Sequence, residues 1–173
     1  MQTPNKGFTL FEVMVVLAVL AILLLIAAPA FQDMRDRQRV NAAAEAVYAH
    51  LQYARSEAIR QNQNLFLQVT AGADWCLGIT HNSAGCNCNT PGSCQFGVGE
   101  ALEQNLLADG FSNIILSTTL TPIEFNSRRG LIPGLTQEGA IRVSGASGLF
   151  AEARFSPLGR IRLCGNFGGR PAC

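Results

Sequence analysis

Lys6-Gly7-Phe8-Thr9-Leu10-Phe11-Glu12, followed by the uncharged run over residues 13–31, is the stretch on which the reading of this chain turns. Nineteen residues without a charged side chain would make about 28 Å of helix, close to the roughly 30 Å of a hydrocarbon core. A buried core helix would need apolar partners on every side, and a chain of 173 residues has no other segment large enough to provide them. The run is therefore read as a membrane helix. A cleaved secretory signal would also place a short polar stretch before an apolar one, and Ala27, Ala28 and Ala30 imitate its small-residue cleavage site. The order of elements argues against it, because an acid, Glu12, stands at the mouth of the apolar run. An acid near the centre of a membrane helix costs about 2.5–3.5 kcal/mol, less toward the interface, so it marks a functional position whose natural partner is a positive charge.

These residues resemble the start of the type IV prepilin family. The resemblance implies a leader over residues 1–7, removed by a prepilin peptidase that cuts between Gly7 and Phe8 and methylates the new amino terminus. It implies that the hydrophobic helix stays in the product and that Glu12 pairs with the N-terminal amine of a neighbouring subunit during assembly. Pro29 falls where pilin helices commonly kink. Expected partners are other major and minor pilins, the peptidase and the inner membrane. The expected location is single-pass in the inner membrane, with a periplasmic globular part that enters the pilus after assembly.

Beyond the apolar run the helical pattern continues: Val40, Ala44, Val47, Leu51, Ala54 and Ala58 form one stripe, with polar residues such as Arg37, Asn41, Glu45, Gln52 and Arg55 opposite. A coiled coil and packing on the chain's own sheet both fit such a stripe. Its short length and its many alanines favour the sheet. Asn62-Gln63-Asn64 should stop the helix. Residues 8–31 are expected as the transmembrane half of this helix, 32–63 as its periplasmic half and 64–173 as a β-rich globular domain. Candidate strands are 65–70, 75–80, 114–120, 140–143, 149–155 and 160–164, separated by Gly-, Asn-, Ser- and Pro-rich intervals. The fold class is α+β, a long N-terminal helix packed on an antiparallel β-sheet domain, which is also the pilin fold that the resemblance implies.

The net charge of +1 conceals a gradient. Residues 64–124 hold no Lys or Arg and carry −5 through Asp74, Glu100, Glu103, Asp109 and Glu124, whereas residues 125–173 carry +5, with seven arginines against Glu138 and Glu152. Six cysteines, all beyond residue 75, point to disulfides in an oxidising compartment. Cys164 and Cys173 bracket a glycine-rich loop and are the expected pair, while Cys76, Cys86, Cys88 and Cys94 leave their pairing open. His81 with Cys86, Cys88 and Cys94 could supply four zinc ligands, but the C-x-C spacing is not that of a zinc knuckle. No metal and no cofactor is expected. Neither a G-x-S-x-G elbow nor H-E-x-x-H is present, and with only two histidines the chain is not expected to be an enzyme.

Residues 149–173 are the informative part of the globular domain. Leu149, Ala151, Ala153 and Phe155 alternate with more polar positions, as do Ile161 and Leu163 with Arg160 and Arg162. A two-residue turn would put Phe155 opposite Arg160. A three-residue turn Pro157-Leu158-Gly159, with Gly159 left-handed, instead pairs Phe155 with Ile161 and Ala153 with Leu163, which makes Arg154 and Arg162 cross-strand neighbours on the outer face. Like charges so placed repel unless an anion lies among them. Glu152 and solvent are one such screen and a bound polyanion another. Arginine suits phosphate, and Gly165-Asn166-Phe167-Gly168-Gly169-Arg170 adds an aromatic and a further cation.

Gly159-Arg160-Ile161-Arg162 resembles the G-R-x-R motif near the C-terminus of FimT-type minor pilins, in the family shared by FimT and the secretion pseudopilin GspH. FimT is the nearer likeness. This resemblance implies non-specific DNA binding in natural transformation through Arg154, Gly159, Arg160, Arg162 and Arg170. The alternatives are a GspH-like minor pseudopilin of a type II secretion system, or a structural subunit at a pilus tip that binds other pilins. The cysteine-rich segment 81–99 is not part of the family's pattern.

Overall fold

A computed structural model of the chain describes residues 7–97, 99 and 101–173, with residues 26–30 described by backbone alone. The leader up to Lys6 and the side chain of Pro29 lie outside the described residues. The order of elements is α1 (Leu10–Gln61), β1 (Leu65–Thr70), β2 (Cys76–Thr80), β3 (Asn105–Leu107), a single 3-10 turn (Ala108–Gly110), β4 (Ile115–Thr118), β5 (Ile123–Phe125), β6 (Gly139–Ser144), β7 (Phe150–Phe155) and β8 (Ile161–Gly165). The chain divides into two compact units, Met1–Arg35 and Asp36–Cys173.

In the first unit the described large apolar side chains are exposed, from Phe8 at 84% and Leu10 at 80% to Leu25 at 77%. Such a surface has no partner within the unit itself. Among the described residues no helix is long and apolar enough to cross a membrane. The expected nineteen-residue span includes positions 26–30, whose side chains are outside the description.

The second unit is the globular part. Val40, Ala44, Val47, Leu51, Ala54 and Ala58 are each 0% exposed and belong to one core with residues of both sheets, so the alanine-rich stripe packs on the chain's own strands and is not a coiled-coil seam. Small side chains allow the helix to lie close to the strands, and Trp75, Phe96, Phe125 and Phe155 fill the remaining volume. The helix ends where Asn62 takes a left-handed φ of 53°.

A single sheet was expected from the strand pattern, and the structure has two. One runs in the order β3-β2-β1-β5 and the other β4-β6-β7-β8, all pairs antiparallel. The six expected strands are all present with ends within a residue or two, the third being trimmed from 114–120 to Ile115–Thr118. Strands β3 and β5 were not anticipated, because three residues are too few to show an alternation.

The segment 81–97 is a loop bound to β2. Cys76 pairs with Cys88 and Cys86 with Cys94, so the two crosslinks overlap along the chain. Cys76, Cys88 and Cys94 form a small buried cluster of their own. Gly78 in β2 makes this possible, because a Cβ there would meet Cys88 Cβ at 2.8 Å.

Candidate functional site

The arginine hairpin has the register expected of a three-residue turn. Phe155 pairs with Ile161, Ala153 with Leu163 and Arg154 with Arg162. Gly159 has φ +73°, its amide donates to the Ser156 carbonyl at 2.8 Å, and the Ser156 amide donates to the Arg160 carbonyl at 3.0 Å. Ala151, Ala153 and Phe155 are buried on the inner side, leaving Arg154 half-buried and Arg162 exposed on the outer one.

The outer face carries its own anions. Glu152, only 5% exposed, faces Arg142 across β6–β7 and accepts from it at 2.7 Å and from Arg154 at 3.1 Å. Two guanidiniums on one buried carboxylate offset the cost of its desolvation. The Arg142 guanidinium also lies 4.1 Å from the centre of the Phe150 ring, a cation–π contact. Glu138, 42% exposed, bridges Arg162 at 2.8 Å and Arg154 at 3.6 Å. The repulsion that the register creates is thus met inside the protein.

Arg170 is held apart from the other candidates. Its guanidinium donates to Asn41 Oδ1 and, at 2.7 Å, to Glu45 on α1, and the side chain is only 9% exposed. Phe167 beside it is buried in the core. The glycine-rich tail is docked: the Gly165 amide donates to the Pro171 carbonyl at 2.9 Å, and Cys173 is bonded to Cys164, the pair read from the sequence. The Glu152 carboxylate lies within 4.8 Å of both of these sulfurs, which are joined to each other and so offer no thiolate to a metal.

Arg160 stands differently. It is exposed at the turn, with no carboxylate in salt-bridge distance among the described residues. Gly159 has two reasons to be glycine: the positive φ, and a seat so close to Gly130 that a Cβ would overlap its carbonyl oxygen. The turn is further fixed by the Ile132 amide donating to the Pro157 carbonyl at 3.0 Å. Arg55 on α1 donates to the Gly130 and Arg129 carbonyls at 3.3 and 3.5 Å. Arg55 lies 75 and 74 residues from these two partners, so no local pattern in the sequence connects it to the loop.

Two carboxylates of α1 hold the scaffold. Asp36 accepts from the Ser147 amide at 3.0 Å and from its hydroxyl, and these bonds hold its carboxyl below the usual range against the opposing effect of burial. Arg60 and Gln61 do the same for the buried Glu57, accepted at 2.6 and 2.7 Å. Burial pushes His50 down to about 4, and its Nε2 has no partner.

The Glu12 amide donates to Thr9 Oγ1 at 3.2 Å, a local contact at the start of α1. Gly7 and Phe8 precede the helix as exposed, irregular chain.

Comparison with known proteins agrees with this architecture. A family model described as Type II transport protein GspH matches residues 43–172, and one described as the prokaryotic N-terminal methylation motif matches residues 3–28. The type IV major pilin protein PilE1 of Neisseria gonorrhoeae is 49% identical over 43 residues, which is 25% of this chain and 26% of that protein. A fimbrial protein of Pseudomonas aeruginosa is 40% identical over 80 residues, 46% of this chain and 51% of that one. The match thus spans about a quarter of the length of the first of these relatives. The crystal structure of the type IV minor pilin FimU of Pseudomonas aeruginosa superposes with a TM-score of 0.53 at 24% identity, covering 75% of this chain and 91% of that one, a likeness of fold. With the GspH model matching most of its length and the methylation motif at its start, the chain belongs to the GspH family of type IV minor pilins and pseudopilins.

Proposed function

We propose that this chain is a minor type IV pilin that binds duplex DNA without sequence preference in natural transformation, through the arginines of the β7–β8 hairpin. The observation that carries the reading is the cross-strand pair Arg154–Arg162 on an outer face, continued by the exposed Arg160 at a glycine turn. Arginine-only cations on a rigid hairpin suit phosphate oxygens, and phosphate contacts carry no base information. The protein performs no chemistry of its own. A prepilin peptidase removes the leader after Gly7 and methylates Phe8, the apolar helix anchors the chain once in the inner membrane, and the globular unit faces the periplasm until assembly. Glu12 pairs with a neighbouring subunit's amine; Glu12→Ala should still be cleaved but should enter filaments poorly, and normal assembly of that variant would remove the role.

The test is duplex binding by the full chain in nonionic detergent micelles. Three arginine–phosphate contacts would give a log–log salt slope of about −2.7, a loss of roughly fortyfold from 50 to 200 mM salt. Arg160→Gln with Arg162→Gln should remove most of the affinity and flatten the slope by about two units, equally for unrelated sequences. The matched control is Arg37→Gln with Arg39→Gln on α1, because Arg55 touches the hairpin's supporting loop. Equal losses in both double variants would make the effect one of net charge.

The description of the matching family favours a second reading, a minor pseudopilin of a type II secretion system. In that case the hairpin variant keeps its DNA behaviour and loses a co-purifying pilin instead.

A further inference from the structure

The arginines of the hairpin face differ in one respect that its sequence does not show. Arg142, Arg154, Arg162 and Arg170 all have carboxylate partners, at 2.6, 3.1, 2.8 and 2.7 Å. Arg128, Arg129 and Arg160 have none among the described residues, and all three are exposed. They come from two segments that the fold presses together, since Gly159 sits against the Gly130 carbonyl and Pro157 accepts from Ile132. A cleft of about 430 Å³ opens between them, lined by Arg128, Arg129, Pro133 and Pro157 among others.

The loop that carries two of these charges is held by side-chain and backbone hydrogen bonds. Asn64, just past the end of α1, accepts from the Ser127 amide at 3.0 Å and donates to Glu124 at 2.9 Å. Asn126 accepts from the Arg128 amide through its side chain at 2.9 Å and from the Gly130 amide through its carbonyl at 2.8 Å. Arg55 donates to the carbonyls of Arg129 and Gly130, so acceptors that would repel an anion are already satisfied by a cation. Uncompensated positive charge on a preorganised backbone, with its carbonyls occupied, is the arrangement that an anion meets at least cost.

We propose that Arg128, Arg129 and Arg160 form one phosphate-binding ledge at the hairpin tip, positioned by Arg55 and by the Gly159–Gly130 contact, and that this ledge is the principal contact of the chain with the phosphodiester backbone of nucleic acid. The proposal rests on the DNA-binding reading and moves its centre from the strands to the tip. The occupant is a polymer of phosphates because all three arginines are exposed and Arg160 does not line the cleft that Arg128 and Arg129 share, so one small anion would not engage them all. Arg154 and Arg162 contribute only as far as phosphate displaces Glu138 from them, and Arg170 stays on α1.

The experiment uses the full chain in nonionic detergent and a short mixed-sequence duplex carrying a fluorophore. Arg128→Gln with Arg129→Gln should weaken binding at least tenfold and flatten the salt slope by about two units. Arg154→Gln with Arg170→Gln should change affinity by less than about threefold. Wild-type affinity and slope in the Arg128/Arg129 variant, with loss in the Arg160/Arg162 variant, would overturn the ledge and leave the DNA reading standing. A loss matched by the Arg37/Arg39 control would also overturn it. If the native chain binds no duplex, the DNA reading falls, and arginine labelling by phenylglyoxal with inorganic pyrophosphate as probe decides the site alone. Protection of Arg128 and Arg129 but not of Arg37 and Arg39 would keep the ledge as an anion site; equal labelling would end it.

Discussion

The sheet β3-β2-β1-β5 and the strands β6–β8 of the other sheet share one core and cover their remaining surface by opposite means. The first belongs to a stretch without a lysine or arginine, and the loop beyond β2 is fastened to it by Cys76–Cys88 and closed on itself by Cys86–Cys94. The second leaves its outer face to ion pairs, Arg142 and Arg154 with Glu152 and Arg154 and Arg162 with Glu138, with one disulfide at the end of β8. A crosslink is fixed as long as the compartment is oxidising, whereas an exposed ion pair exchanges readily with water, salt or another anion. On the second sheet the exchangeable pairs are those of the exposed Glu138, whereas the pairs of Glu152 are buried.

The largest way to break this contrast is to remove the crosslinks. Replacing Cys76, Cys86, Cys88 and Cys94 by serine should cost about 2–5 kcal/mol in denaturant unfolding, less than two independent crosslinks would, because the two closed loops overlap. Duplex affinity of the molecules that remain folded should be unchanged. Replacing Cys164 and Cys173 should cost less stability and should loosen the tail over Glu152, read as faster proteolysis after Gly165. A collapse of DNA binding in the first variant would show that the two sheets are not independent.

The contrast was only half legible in the sequence. The helix stripe, the hairpin register and the Cys164–Cys173 pair follow from local rules: a period of three to four, a period of two, and a glycine-rich loop between two cysteines. Where a partner lies far along the chain, no local rule applies. Arg170 has Asn41 and Glu45 beneath it, 129 and 125 residues away, so its docking on α1 could not be read from a tail of glycines. Arg55 meets Gly130 across 75 residues for the same reason. The order of charges showed that residues 125–173 were basic but not which arginines had already found an acid.

A second, smaller effect should come from pH, and it acts on the helix beneath both sheets. His50 titrates at about 4 in the folded chain against 6.5 for the free side chain, because burial disfavours its charged form. Between these values the unfolded chain binds the extra proton, so stability is full above pH 6.5 and falls as the pH drops toward 4, by up to about 3 kcal/mol. Asp36 and Glu57, both held below their usual range by hydrogen bonds, add loss in the same direction at still lower pH. His50→Leu should flatten the melting temperature between pH 6.5 and 4.5 while leaving the disulfides and duplex binding alone. A native chain whose melting temperature does not move over that interval would contradict the buried, neutral imidazole.

The smallest expected effect is the sharpest on the outer face of the second sheet. Glu138 is 42% exposed and holds Arg162 at 2.8 Å and Arg154 at 3.6 Å, so any phosphate reaching those two guanidiniums must displace it. An exposed pair of this kind contributes about 0–1 kcal/mol, and Glu138→Gln should leave the melting temperature nearly unchanged. Duplex affinity should rise about three- to tenfold, with a steeper salt slope, because two arginines become available without a competitor. Asp74→Asn removes the same charge from an exposed position in the acidic half and should move affinity far less, since screening over a Debye length of about 8–10 Å hides it from a distant ligand. Equal gains in the two variants would reduce the effect to net charge. No gain in Glu138→Gln would take Arg154 and Arg162 out of the interface and leave the tip, with Arg128, Arg129 and Arg160, as all of it.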